Sequence, residues 1–363
     1  MYDFVVVGGG PAGSRFARRV AEDGFDVVVF EKGEVGKPLA CSGHVSTDIW
    51  SFVPDDSRKS LCQNDIYGAR FHTGGPESNA YPFYKGDVVS NVIDRVELDR
   101  TLADAARKAG ATFKEHHTVV GLSEYRDAVS VRVRGPDGIE TYDGRILAGC
   151  DGPKSRVRRE VGLPEPEELL HGVLGFEDAP DHDDFVDVHL TVPGFFAWRI
   201  PRGEAGVEYG LATDPTADVS ARFDSFRAAY GVELSRRCSG LIPIGPPERV
   251  HTGRIFLLGD AAGQNKPFTG GGILYSMTAA DIAASVIDPC DPSTLGRYEQ
   301  GWRDELSGDI ALGKLIRSGY SAPERLQEAT LSLFDGEIGV HMDRPTSLFS
   351  AKQLRAMFPL GRE

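Results

Sequence analysis

Arg254-Ile-Phe-Leu-Leu-Gly-Asp-Ala-Ala-Gly-Gln-Asn-Lys-Pro-Phe-Thr-Gly-Gly-Gly-Ile-Leu-Tyr-Ser-Met-Thr-Ala-Ala-Asp-Ile-Ala283 decides the fold. The apolar run Ile255 to Leu258 has the length of a buried strand. Gly259 and Asp260 stand at its end, where small residues let a ligand approach the backbone. Pro267 and the glycines Gly270 to Gly272 follow, and Ile273 to Val286 is Ala-rich at helical spacing. A glycine turn thus feeds a helix N-terminus, whose free N–H groups and positive dipole end favour electron-rich oxygens. An Asp just after a strand accepts hydrogen bonds from sugar-like hydroxyls. Together these suit the ribityl chain and pyrimidine edge of a flavin. An ordinary strand–turn–helix with a buried Asp cap fits the same residues, so the other end of the chain must arbitrate.

There, Tyr2 to Val7 is a β-branched apolar run, followed by Gly8-Gly-Gly-Pro-Ala-Gly13 and a helical stretch from Ser14 to Glu22. Phe25 to Phe30 is a second apolar run that ends at Glu31. The order is strand, G-x-G-x-x-G, helix, strand, acid. Gly8 makes the tight turn, Gly10 admits a pyrophosphate, and Gly13 lets the helix pack on the strand. Glu31 is placed to accept bonds from an adenosine ribose. The motif alone does not separate NAD from FAD.

Between these ends, Gly36 to Ser46 is a Gly/Pro/Ser-rich loop expected to run over the nucleotide. Cys41 and His44 are its reactive side chains; a small buried thiol and a surface imidazole are the ordinary reading. Asp65 to Val89 reads as strands of a second sheet, and Asn91 to Gly110 as a strand end and an amphipathic helix. Arg95, at the helix entrance, can reach a phosphate or ribityl group, or lie on the surface. Phe113 to Val120 and Val129 to Val133 suggest a β-meander with a turn at Gly135 to Gly138. Asp151 and Gly152 close another apolar run, at the carboxyl end of a strand where ligands bind. Leu169 to Leu241 alternates and predicts a half-buried antiparallel sheet with one apolar face. Arg222 to Tyr230, Ser293 to Ser318 and Pro323 to Phe334 read as helices, and a tail helix is expected over 347–357.

The chain has 363 residues, 40% hydrophobic and 26% charged, which suits a soluble protein of two or three domains. A net charge of −14 and the lack of a basic patch argue against nucleic acid. The five cysteines, Cys41, Cys62, Cys150, Cys238 and Cys290, show no paired spacing, so a reducing cytoplasm and no metal site are expected. With the first strand at Tyr2, no signal peptide is expected, and no run reaches the roughly 20 apolar residues of a membrane span.

Gly8-x-Gly10-x-x-Gly13 with Glu31, Asp151-Gly152 and Gly259-Asp260 in one chain resemble the p-hydroxybenzoate hydroxylase group of FAD flavoproteins. Within it, the details are similar to the geranylgeranyl reductase family. That family carries a Pro-x-x-Cys-Gly-type loop, here Pro38-Leu-Ala-Cys41-Ser42-Gly43-His44. It carries an Arg-x-x-Leu/Phe-Asp helix start, here Arg95-Val-Glu-Leu-Asp99, and Gly-Asp-Ala-Ala-Gly-x-x-x-Pro-x-x-Gly-Gly-Gly-Ile, matched from Gly259 to Ile273. Its Tyr-x-Trp-x-Phe-Pro strand is here Phe196-Ala-Trp198-Arg-Ile200-Pro201. Phe196 and Ile200 depart from that pattern, as does Ser42 from the usual glycine.

The resemblance implies FAD, contacted by Ala12, Glu31, Cys41, Ser42, Arg95, Val119, Asp260, Gly272 and Ile273. It implies a prenyl cavity lined by Phe196, Trp198 and Pro201, and saturation of isolated alkenes in geranylgeranyl chains. Trp198 is then the candidate to stabilise positive charge, and Cys41, His44 or an ordered water the proton donor. The electron donor would be NAD(P)H or ferredoxin, and the lipid substrate makes peripheral membrane contact an option for a cytoplasmic protein. The expected fold is mixed α/β. A discontinuous Rossmann-like FAD domain (1–65, 90–165, 246–290) precedes and follows a β-sheet substrate domain (66–89, 166–245), with a helical C-terminal region (291–363). The alternatives are an FAD monooxygenase or halogenase-like enzyme, and a non-catalytic prenyl-lipid carrier.

Overall fold

The apolar run at the N-terminus makes a strand whose last four residues are buried, and the glycines behind it turn straight into a helix. A computed structural model describes residues 1–37 and 41–337; residues 38–40 of the cysteine loop and the expected tail helix lie outside the described residues. In chain order the first elements are β1 (Tyr2–Val7), α1 (Pro11–Glu22), β2 (Val27–Phe30), β3 (His44–Ser46), α2 (Arg58–Leu61), β4 (Cys62–Ile66), β5 (Gly68–His72), β6 (Ala80–Tyr84) and β7 (Ser90–Ile93). Next come α3 (Arg95–Ala109), β8 (Thr112–Lys114), β9 (Thr118–Glu124), β10 (Val129–Gly135), β11 (Gly138–Gly149), α4 (Arg156–Glu160), β12 (Glu168–Glu177), β13 (Phe185–His189) and β14 (Ala197–Pro201). The remainder are β15 (Val207–Thr213), α5 (Val219–Tyr230), β16 (Arg236–Ile244), β17 (Ile255–Leu257), α6 (Ile273–Val286), α7 (Leu295–Ser318), α8 (Glu324–Phe334) and β18 (Gly336–Glu337).

A seven-stranded sheet runs β8-β2-β1-β11-β10-β9, with β17 also on β11. The long strand β11 has two characters. Its first half pairs antiparallel with β10 and is largely exposed; its second half lies parallel between β1 and β17 and is buried. Parallel strands need cover on both faces, and α1, α6 and α7 supply it on one. Phe16, Ala280, Tyr298 and Trp302 pack into one core with Phe4 and Phe256. The short strand β8, expected in the meander, instead pairs parallel with β2.

The eight-stranded sheet runs β16-β12-β15-β14-β13-β5-β6-β18. Val186 and Val188, two apart on β13, face one side with Trp198 and Ile200 of β14. The expected single apolar face is an incomplete description. All seven residues of β15 are buried, because α5 covers the other side with Phe223 and Phe226. A small sheet β3-β7-β4 carries the cysteine loop at one end. α3 is capped by Asp94, whose side chain accepts the Glu97 N–H, and ends at Gly110 in the left-handed region. It buries Leu98, Leu102 and Ala106, one turn apart.

Candidate active site

One cavity of about 2480 Å³ runs from the first glycine turn to the face of the eight-stranded sheet. A drug-sized ligand fills about 300–1,000 Å³. The space therefore admits a dinucleotide and a long chain together.

At its nucleotide end the backbone does the shaping. Gly8 has φ +106°, and a Cβ there would sit 2.3 Å from the Cys150 carbonyl oxygen, so only glycine allows β1 and β11 to end this close. Gly10 has open space where a Cβ would point and lines the cavity. It is the N-cap of α1 and offers no side-chain cap. Gly272 is likewise the N-cap of α6 with no side-chain cap. Two helix N-termini with uncapped N–H groups thus open on one cavity, which suits phosphate and carbonyl oxygens. Gly13 does not line it; a Cβ there would lie 2.1 Å from the Gly8 carbonyl, so this glycine serves packing. The α6 turn is braced from α7: Tyr298 donates to the Leu257 carbonyl (2.7 Å) and accepts from Gln264 (2.9 Å), whose Oε1 accepts the Gly259 N–H (2.8 Å).

Charged groups are single and placed. The Glu31 carboxylate accepts N–H bonds from Gly9 (2.8 Å) and Gly33 (3.1 Å) and still lines the cavity. Asp151 lines it too, but its oxygens already accept from Ser155 Oγ and the Arg156 and Val157 N–H groups, holding the start of α4. Arg95 is not a surface arginine. It is 6% exposed, pairs with Asp99 at 2.8 Å, and lies near enough to Cys41 for the two to interact electrostatically. Burial pushes the Asp99 carboxyl up against the pull of Arg95. The Asp260 carboxyl, one oxygen of which would lie 3.0 Å from a Cβ on Gly272, is pushed up to about 6 by burial, with Arg95 pulling it down. Ala12, Ser42, Val119, Gly259 and Ile273 also line the cavity. His44 does so with Nε2 2.7 Å from Ser90 Oγ. Cys150 is a second thiol on the wall, but burial pushes it well above the ordinary range, which keeps it unreactive.

The far end is apolar. Leu174, Val186, Val188, Phe196, Trp198 and Ile200 line it from the sheet, and Phe268 and Tyr320 close it. Phe196 stacks on Phe195 (4.3 Å) and meets Trp198 and Tyr320 edge-on (5.7 Å each). Pro201 is a correction: it is not among the cavity walls, because it stands out of phase with Trp198 and Ile200 on β14. Lys266 and Tyr320 are among the wall residues that escaped the sequence reading. Lys266, 3% exposed, runs beneath the glycine turn, its Nζ 3.2 Å from where a Gly271 Cβ would be. A lone lysine between Gly-Asp and Pro was its only signal. Tyr320, which donates to the Phe268 carbonyl at 2.8 Å, lies past every motif and had none.

The uncapped helices, the buried acid and the glycine cradle fit a flavin dinucleotide. The fold is that of an FAD-binding flavoprotein. Residues 86–208 match the FAD binding domain family, and residues 6–85 the NAD(P)-binding Rossmann-like domain family. The chain is 30% identical over 344 residues, 85% of each chain, to digeranylgeranylglycerophospholipid reductase 2 of Methanothermobacter thermautotrophicus. It is 31% identical over 333 residues, again 85% of each, to the digeranylgeranylglycerophospholipid reductase of Methanothrix thermoacetophila. It belongs to the digeranylgeranylglycerophospholipid reductase family. In fold it is similar to a geranylgeranyl bacteriochlorophyll reductase-like protein of Thermoplasma acidophilum (TM-score 0.87, 21% identity, 99% of this chain and 97% of that one). A flavin-dependent halogenase, CmlS, shares the fold less closely (TM-score 0.71, 19% identity, 99% and 72%).

Proposed function

We propose that the chain saturates isolated C=C bonds in the geranylgeranyl chains of membrane lipids or their precursors. One observation carries this: the cavity that opens on the helix ends of α1 and α6 continues into an aromatic, apolar chamber. Bound and reduced, FAD supplies the hydride. An isolated trisubstituted alkene has no electron sink, so it must be protonated at its less substituted carbon. That leaves a tertiary cation to be quenched. The Trp198 and Phe196 rings exclude water and face that charge, worth about 1–2 kcal/mol. Cys41, His44 or an ordered water donates the proton within the cavity. Gly8, Gly10, Ala12, Glu31, Ser42, Val119, Gly259, Asp260, Gly272 and Ile273 hold the cofactor, with Arg95. The Lys266 ammonium and the α6 N-terminus favour negative charge on the pyrimidine edge.

The division of labour proposed is FAD binding by 1–65, 90–165 and 246–290 and substrate enclosure by 66–89 and 166–245, with the helical region from 291 closing part of the cavity. Tyr84, Leu326, Leu333 and Phe334 are exposed and line the cavity, and we assign this mouth to a lipid surface. No helix among the described residues is long and apolar enough to cross a membrane. Electrons come from NAD(P)H or a ferredoxin.

The test is to mix FAD-loaded protein with a chemical reductant and a digeranylgeranylglycerol phospholipid, and to follow two-dalton mass steps. Trp198→Ala should keep its FAD and lose about 100-fold in rate. Unchanged turnover would remove Trp198 from the mechanism. Oxygen consumption with no lipid mass change would favour a monooxygenase or halogenase instead.

A further inference from the structure

The substrate sheet carries one buried carboxylate for which the proposed reaction has no use. Glu208, the second residue of β15, is 0% exposed. In register it faces Ile200 of β14, while Gly210 faces Trp198. The Trp198 ring lies across Gly210, where a Cβ would come within 2.4 Å of it. The indole thereby reaches back along β15, and its Nε1 donates to Glu208 Oε1 at 2.9 Å. The other carboxylate oxygen takes Nη1 of Arg202 at 3.1 Å. Arg202, 8% exposed, follows β14 directly and does not stop at Glu208. The same Nη1 donates to the Ser42 carbonyl at 2.5 Å, and Nη2 donates to Gln63 Oε1 at 2.7 Å and the Ile93 carbonyl at 3.5 Å.

Ser42 follows Cys41. Three neighbours bear on the loop around them. Gly43, with φ +72°, accepts the Ile93 N–H through its carbonyl (2.9 Å). Cys41 lies within electrostatic reach of Arg95. The Ser42 carbonyl takes Arg202. Of the three, Arg202 alone comes from the substrate sheet. A planar guanidinium suits the task, since its fork fixes several acceptors at once. A buried carboxylate has to be paired to stay charged, so Glu208 and Arg202 hold each other in place.

We propose that Glu208 and Arg202 are positioning residues that lock the Trp198 wall and the Cys41–Gly43 loop at a fixed separation across the reacting part of the cavity. Glu208 sets the tilt of the indole. Arg202 passes that setting to the backbone beside Cys41. Neither residue lines the cavity, so the loss of the pair acts on geometry and leaves binding area intact. The proposal rests on the reductase reading for its kinetic consequence, but its structural half can be measured without any lipid.

The decisive variant is Arg202→Met in FAD-loaded protein, with Cys41 alkylation by iodoacetamide followed by peptide mass spectrometry. Exposed Cys290 is the internal reference. With the Arg202 bond to the Ser42 carbonyl gone, Cys41 should react about fivefold faster relative to Cys290. With lipid, KM should stay within about twofold while kcat falls about 10- to 100-fold, the cost of an ångström-scale misplacement. FAD content should not change. Glu208→Gln keeps an acceptor for the indole but loses the ion pair, and should give the same split; Arg202→Lys should restore part of kcat. The double variant should fall no further than the worse single one, since both act through one link. An unchanged Cys41 rate, a retained kcat, or a kcat loss that follows FAD loss would each overturn the proposal. Should Arg202→Met not fold, Arg202→Lys and Glu208→Gln carry the same two readouts. If the unaltered protein reduces no geranylgeranyl lipid, the functional reading fails, and the Cys41 rate still decides this one.

Discussion

The two ends of the cavity are built on different physics. At the nucleotide end the ligand-facing atoms are mostly backbone, fixed by Gly8, Gly10, Gly259 and Gly272, and by a few charges placed one at a time. At the lipid end they are side chains of one sheet face, closed by Phe268 and Tyr320. Backbone donors have no rotamers, so the first end is preorganised and brittle. Apolar walls gain by area and have no direction, so the second is forgiving. A dinucleotide with defined hydrogen bonds needs the former. A prenyl chain, which has none, needs the latter.

The sharpest break of that contrast compares two small changes. Gly8→Ala adds one carbon at φ +106° and 2.3 Å from a carbonyl oxygen. We expect a loss of about 4 kcal/mol or more and a colourless protein. Val188→Ala removes two carbons from the lipid wall. It should cost about 1 kcal/mol, keep all its FAD and shift the lipid KM a few-fold. A yellow Gly8→Ala protein would dissolve the distinction.

Next in size is Lys266→Met. Its ammonium, buried under the glycine turn, favours an electron-rich flavin edge. Removing it should weaken the sulfite adduct of bound FAD about tenfold and make the flavin harder to reduce. An unchanged sulfite affinity would take Lys266 out of the cofactor's field.

Asp260 gives a smaller, pH-dependent effect. Its carboxyl is raised from 3.8 to about 6 in the FAD-free protein, chiefly by burial. The folded chain therefore holds a proton there that the unfolded chain has lost, and this contribution to stability falls as pH rises from 3.8 through 6. Ribityl hydroxyls donating to Asp260 favour the carboxylate. FAD affinity should thus rise with pH between about 4 and 6, by up to about tenfold per unit, and level off above. Asp260→Asn should bind FAD more weakly and show no such slope in a titration.

The nucleotide end was legible in the sequence because its geometry is local. Gly8 to Gly13 and Gly259 to Ile273 each contain the turn, the helix start and the ligand-facing atoms within one short run. The lipid end was legible only in phase. Trp198 and Phe196 stood out, yet Pro201 fell on the wrong side of β14, since alternation by two puts neighbours on opposite faces. Glu208 sat in plain view in an apolar strand, but its partner Arg202 lies across a turn and the Ser42 carbonyl 160 residues away. Burial of β15 on both faces depends on α5, and the parallel pairing of β8 on β2; neither is written in the strands themselves.

The smallest effect should come from the face of the eight-stranded sheet turned away from the cavity. There His189 stacks on His72 at 4.5 Å and 15°. Its Nδ1 lies 2.9 Å from the Gly74 carbonyl, so Nδ1 carries the proton. Nε2, 2.7 Å from the Tyr230 hydroxyl, then accepts. A second proton would displace the Tyr230 bond inside a buried site. Burial first, with His72 adding to it, pushes His189 down from 6.5 to about 4, against the Gly74 bond and Asp187. The fold therefore keeps His189 neutral where the unfolded chain would protonate it, and stability drains away as pH falls from 6.5 through 4, by about 3 kcal/mol. His189→Gln should flatten that part of an acid denaturation profile. At pH 7.5 it should cost about 1 kcal/mol and leave FAD content and lipid reduction as they were. If it changed either, the two faces of the sheet would be coupled, and the division between a chemical face and a structural one would fail.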